Sequence, residues 1–134
     1  MRIVTLVLTS SVILASTIAM ARPLENDDEI KQALVGNTIS GETNGQSYSE
    51  FLMPDGRLSG MEPDGAYTGH WHVESGRICF SYDDENHKPG PWVDCARVDV
   101  EGSRVTWVDE NGDQSVATLT AGNKLTTGNK VRRR

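Results

Sequence analysis

Ala66-Tyr-Thr-Gly-His-Trp-His-Val73, followed by Glu74-Ser-Gly76 and then Arg77-Ile-Cys-Phe-Ser-Tyr82, is the stretch on which the fold turns. Side chains of an extended segment alternate between two faces, so Tyr67, Trp71 and Val73 share one face while Thr68, His70 and His72 share the other. The first face is the core face. The second segment is again β-branched and aromatic, and the residues between the two are turn formers, which makes the pair an antiparallel hairpin.

Outward from this hairpin the same grammar repeats. Short segments near Asn37 to Gly41, Ser47 to Met53, Arg57 to Met61, Trp92 to Val100, Arg104 to Asp109 and Gln114 to Leu119 read as strands. They are separated by Pro54-Asp-Gly56, Pro63-Asp-Gly65, Glu101-Gly-Ser103 and Glu110-Asn-Gly-Asp113, turns short enough to make sequential neighbours antiparallel. The two P-D-G-x-[LY]-[ST]-G runs starting at Pro54 and Pro63 are similar hairpin turns, too few for a solenoid or propeller. One helix precedes the strands. Asn26 caps it, Glu29 stands three residues on, Ile30, Ala33 and Leu34 recur at helical spacing and Gly36 ends it, giving roughly Asp27 to Val35. The reading is an all-β domain with one short N-terminal helix, an antiparallel meander closing into an up-and-down eight-stranded barrel; the alternative is a two-sheet sandwich. Strands this short, with three Trp to place, predict a mostly filled interior and at best a shallow mouth.

Of the 134 residues, 37% are apolar and 24% charged, values that exclude a collagen-like chain, a multi-span membrane protein and a long coiled coil. Met1-Arg2, the apolar run Ile3 to Met20 and the small-x-small pattern Ala19-Met20-Ala21 read as a secretory signal, residues 1–21, cut before Arg22. No later run is apolar and long enough to span a bilayer. One β domain at 22–123 and a basic, disordered tail at 124–134 complete the expected organisation, a monomer in the periplasm or outside the cell.

Arg22 to Asn123 carries seven basic residues against nineteen acids, a net charge of −12, whereas Lys124 to Arg134 adds five basic residues and no acid. An acidic body repels phosphates, so nucleic acid is not an expected partner. The tail could touch an anionic surface.

In an exported domain two cysteines pair by default, so Cys79 and Cys95 are assigned to one disulfide. A hairpin centred on His87 sets Cys79 opposite Cys95, Ile78 opposite Ala96, Tyr82 opposite Trp92 and Ser81 opposite Val93, with opposed Cα atoms about 4.5 to 5.5 Å apart. The same register puts Arg77 against Arg97, unfavourable unless both splay into water or a bulge shifts it. The bond is read as a staple; neither cysteine belongs to a C-x-x-C redox motif.

Candidates for chemistry are few. His70-Trp-His72 puts two imidazoles on one strand face, enough for two zinc or copper ligands, with His87, Asp94 or a Glu as a possible third; the plainer reading is a solvent-facing pair. Asp83-Asp-Glu85 and Asp109-Glu-Asn-Gly-Asp113 concentrate carboxylates without fitting a calcium template, and read as polar turns. No G-x-S-x-G, H-E-x-x-H or lone reactive cysteine is present. The expectation is no enzyme, no catalytic residue, no cofactor and no metal.

Gly36-Asn-Thr-Ile-Ser-Gly41, Tyr48 to Gly60, Tyr67-Thr-Gly-His-Trp71 and Cys79-Phe80 resemble a family of small exported alphaproteobacterial proteins of unknown function. That resemblance implies an exported β domain with paired cysteines and no activity. The architecture is also similar to small periplasmic lysozyme inhibitors, but their Ser-Gly-x-x-Tyr and Trp-x-Lys-Gly elements are missing. Three functions follow: a binding or interaction module of the bacterial envelope, with a small molecule, glycan or envelope protein as partner; a protein inhibitor probing with the loop Asp83 to Pro91; or a weak metal carrier or enzyme at His70 and His72.

Overall fold

The computed structural model describes residues 22–125; the expected signal segment 1–21 and most of the expected tail, 126–134, lie outside the described residues. The elements are β1 (Arg22–Pro23), α1 (Asp27–Leu34), β2 (Asn37–Thr43), β3 (Gln46–Leu52), β4 (Arg57–Glu62), β5 (Gly65–Glu74), β6 (Arg77–Asp83), β7 (Pro89–Glu101), β8 (Arg104–Val108) and β9 (Gln114–Ala121). Strands β2 to β9 pair in sequence, all antiparallel, and β9 returns to β2 through Asn37↔Ala121 to Gly41↔Ala117. The sheet has closed on itself. This is the expected eight-stranded up-and-down barrel and not the two-sheet sandwich.

Two departures from expectation share one cause, the length of β7. Its first part pairs with β6, while Arg97 to Glu101 pair with β8. The freed edge beside Val100 and Asp99 is taken by β1, a strand the sequence does not announce. Because β7 starts at Pro89, the supposed long loop Asp83 to Pro91 shrinks to a five-residue turn, Asp84 to Lys88, closed by Asp84 N–H donating to the Lys88 carbonyl at 2.9 Å.

Helix α1 forms because Asn26 accepts from Glu29 N–H at 2.9 Å and three acids fill its first turn, complementing the helix dipole. It ends at Leu34, one residue earlier than expected, where Val35 turns extended. Asp27 ties its start to the β5–β6 turn by accepting from Gly76 N–H at 2.7 Å. Ile30 and Leu34 face inward and join Ile39, Leu52, Leu58, Trp71, Ile78, Val98 and Val105 in one apolar cluster. The helix therefore plugs one end of the barrel. Burying side chains of this size contributes about 1.5 to 3 kcal/mol each.

The last described residues pack on the barrel wall. Lys124 N–H donates to Thr38 Oγ1 at 2.8 Å, and Thr38 Oγ1 donates to the Gly122 carbonyl at 2.7 Å, so the start of the basic tail packs on β2 at the helix-plugged end.

Candidate ligand-binding site

The other end of the barrel is open. Apolar side chains fill the half next to α1, and the far half is an open-mouthed cavity of about 740 Å³, which corrects the expectation of a mostly filled barrel with a shallow mouth. The reason lies in the inward positions of β2 and β4. Gly41 and Gly60 point no side chain inside, and across the strand pairs stand Tyr48 and Tyr67, whose rings lie over them. A Cβ on either glycine would collide with the facing tyrosine ring. Large rings thus lie flat against the wall where a branched side chain would have filled the lumen.

Glu50, inward on β3 between Tyr48 and Leu52, stands at the floor of this cavity. Only 5% of it is exposed, a rare state for a carboxylate, and it is sustained by two donors. Tyr67 and Tyr82 both donate to Glu50 Oε1, at 2.9 and 3.0 Å. Burial pushes the Glu50 carboxyl above its usual range; the two phenols pull it back, and Asp94 and Glu62 push it up further. Both phenols are held well above the ordinary tyrosine range, first by burial and then by the charge of Glu50, so they remain protonated donors. The rings of Tyr67 and Tyr82 meet edge-on with centroids 5.8 Å apart.

Trp107 of β8 and Phe80 of β6 complete the aromatic wall, with ring centroids 6.0 Å apart and nearly perpendicular. The Trp107 indole nitrogen is buried, with the Tyr48 hydroxyl as the polar group beside it. The rim carries Glu42, Glu62, Asp94, Asp109 and Asp113, and no Lys, Arg or His lines the cavity among the described residues.

The residues singled out from sequence lie elsewhere. His70 and His72 point outward, as the strand alternation requires, but neither is simply solvated. His70 Nδ1 lies 3.4 Å from Asp83 Oδ1, and His72 Nε2 lies 3.4 Å from Glu74 Oε2 with its ring edge-on to Trp92 at 4.1 Å. Asp94 faces the cavity and His87 sits in the turn after β6, so neither joins them. Among the described residues no three His, Cys, Asp or Glu side chains form a metal-holding group. Asp84 and Asp109, from the two acidic runs, use Oδ1 to accept backbone N–H groups of Asn86 and Lys88, and of Asn111 and Asp113, at 2.8 to 2.9 Å. These are Asx turns.

Cys79 and Cys95 are disulfide-bonded with Cα atoms 4.1 Å apart. The expected register holds at Ile78↔Ala96 and then shifts: Phe80 faces Val93 and Ser81 faces Trp92, so Tyr82 is not opposite Trp92 nor Ser81 opposite Val93. The shift is a bulge at Asp94 and Cys95, with Asp94 in the left-handed region at φ 51°. Arg77 reaches Glu110 at 3.4 Å, while Arg97 pairs with Val108 on the other side of β7.

No protein-family model, no curated protein and no solved structure matches the chain.

Proposed function

We propose that the protein is an exported binding module whose barrel mouth holds a small molecule. The observation that carries this reading is the open cavity of about 740 Å³ with aromatic walls and a fixed, buried acceptor at its floor. Small-molecule sites are concave, of about 300 to 1,000 Å³, with apolar walls and a few placed polar groups. Export is supported by the signal-like start of the chain and by the disulfide, a bond that persists in oxidising compartments.

Binding is favoured over turnover by the arrangement at Glu50. Two donors on one oxygen fix a carboxylate as an acceptor, and among the described residues no His, Cys or Lys lines the cavity to serve as base or nucleophile. The inhibitor reading loses its probe, because the loop meant to insert into an enzyme is a tight five-residue turn. The metal reading is left with two histidines engaged by Asp83, Glu74 and Trp92.

The test is a nitrogen-edited NMR screen of residues 22–134 against a fragment set of mixed charge. Shift changes gathered on Tyr48, Tyr67, Tyr82 and Trp107 are expected. Fragments that bind only around Trp92 and His72, or no localised change at all, would overturn the reading.

A further inference from the structure

We infer that the ligand of the barrel mouth is a small organic cation, an ammonium group on an apolar body, seated with its charge over Glu50 beside the rings of Tyr67 and Tyr82. The inference rests on the mouth being a ligand site, and it names what that site selects.

Charge supplies the first argument. Six carboxylates, those of Glu42, Glu50, Glu62, Asp94, Asp109 and Asp113, line the cavity with no basic residue among the described lining. A cleft lined by one sign of charge with low-dielectric walls focuses its field on the lumen and concentrates the opposite charge there. An anionic ligand would enter against all six.

The floor supplies the second. Tyr67 and Tyr82 spend their hydroxyl protons on Glu50 Oε1, so their oxygens are left to accept, and no donor among the described residues reaches Glu50 Oε2. What the floor offers an incoming group is acceptors. The group that satisfies them is a donor or a cation.

The walls supply the third, and they decide what kind of cation. The carboxylates are spread around the mouth, and no three of them come close enough to hold a metal ion. A calcium ion needs six to eight oxygens at 2.3 to 2.6 Å. An alkylated ammonium instead spreads its charge over a volume of several ångström and is attracted to the faces of Tyr and Trp rings, which Tyr48, Tyr67, Tyr82 and Trp107 provide here.

Isothermal titration of residues 22–134 with benzyltrimethylammonium, phenylacetate, benzyl alcohol and calcium chloride, each repeated by NMR, tests the inference. The ammonium ion is expected to bind, with shifts at Tyr67, Tyr82 and Trp107, and the other three to bind at least about tenfold more weakly. Glu50→Gln, which keeps shape and both tyrosine bonds, should weaken the ammonium ion about tenfold; Asp94→Asn, further out and able to keep its left-handed backbone, should weaken it less. Phenylacetate, benzyl alcohol or calcium binding at the mouth as tightly as the ammonium ion, or unchanged affinity in a folded Glu50→Gln protein, overturns the cation while leaving the mouth a ligand site. If none of the three organic probes moves the mouth resonances, both readings fall.

Discussion

Glu50 is the residue on which most depends, and its burial has a sign that can be measured. Glu62, Asp94 and Tyr48 face it along with its two phenol donors, and the balance leaves its carboxyl raised. Between the ordinary carboxylate range and the raised native value the folded chain holds a proton that the unfolded chain has released, so this group's contribution to stability falls as pH rises through that interval, above which the folded carboxylate is charged. Glu50→Gln should remove that decline: the variant is expected to be more stable than the parent in urea at pH 7, with the difference shrinking toward zero below pH 4. Parallel stability curves across that range would contradict the assignment. His87 offers a second measurement at this scale. The turns Met53 to Arg57, Asp84 to Lys88 and Asp109 to Asp113 share one hydrogen-bond pattern, and their fourth residues, Gly56, His87 and Gly112, have φ of 88°, 57° and 86°. Two are glycines and the third is not. His87→Gly should raise stability by about 0.5 to 1 kcal/mol in chemical denaturation, the strain relieved less the added unfolded-state entropy. What sequence could not show at this scale is why Glu50 is inside. Its two partners stand 17 and 32 residues away on other strands, so nothing in the local run Ser47 to Leu52 marks the carboxylate as satisfied.

At the scale of elements, the strands and turns were legible because each is written locally, by alternation and by Gly, Pro, Asn and Asp at the reversals. The β6–β7 register was legible only in part. Cys79 and Cys95 announced that the strands meet, while the bulge beside them had one faint signal, an Asp at position 94 able to take a left-handed backbone. The hand-over of β7 from β6 to β8 and β1 had none, since it depends on barrel closure. Closing a loop of about 17 residues gives the disulfide roughly 3 kcal/mol on the chain-entropy model. Cys79→Ser with Cys95→Ser should lose about that much in denaturant while keeping the strand signature in circular dichroism; a change under about 0.5 kcal/mol would show that the bulge alone holds this register. Gly60→Ala tests the other feature that shapes the cavity. A methyl group there collides with the Tyr67 ring, so the ring must lift away and its hydrogen bond to Glu50 is lost. A cost of about 2 kcal/mol or more is expected, from overpacking and a buried carboxylate short of one donor, against a few tenths for the same change at exposed Gly102 corrected for its positive φ.

For the whole molecule the division of labour runs along the barrel axis. The end plugged by α1 carries the apolar cluster and therefore the stability; the open end carries rings, carboxylates and space. A mostly filled interior follows from strand length and three Trp only if every inward position holds a side chain. Gly41 and Gly60 break that condition, and Trp92, 51% exposed, lies outside the barrel altogether. Volume in a closed barrel is a sum over eight strands, which is why the cavity could not be read from any one of them. On the proposed function a ligand sits in this volume, and not on the histidine face or in the turns. Intermolecular nuclear Overhauser contacts from the methyl protons of benzyltrimethylammonium to the protein test it most directly: contacts to the rings of Tyr67, Tyr82 and Trp107 are predicted, and contacts to Trp92 and His72 on the outer face instead would contradict it.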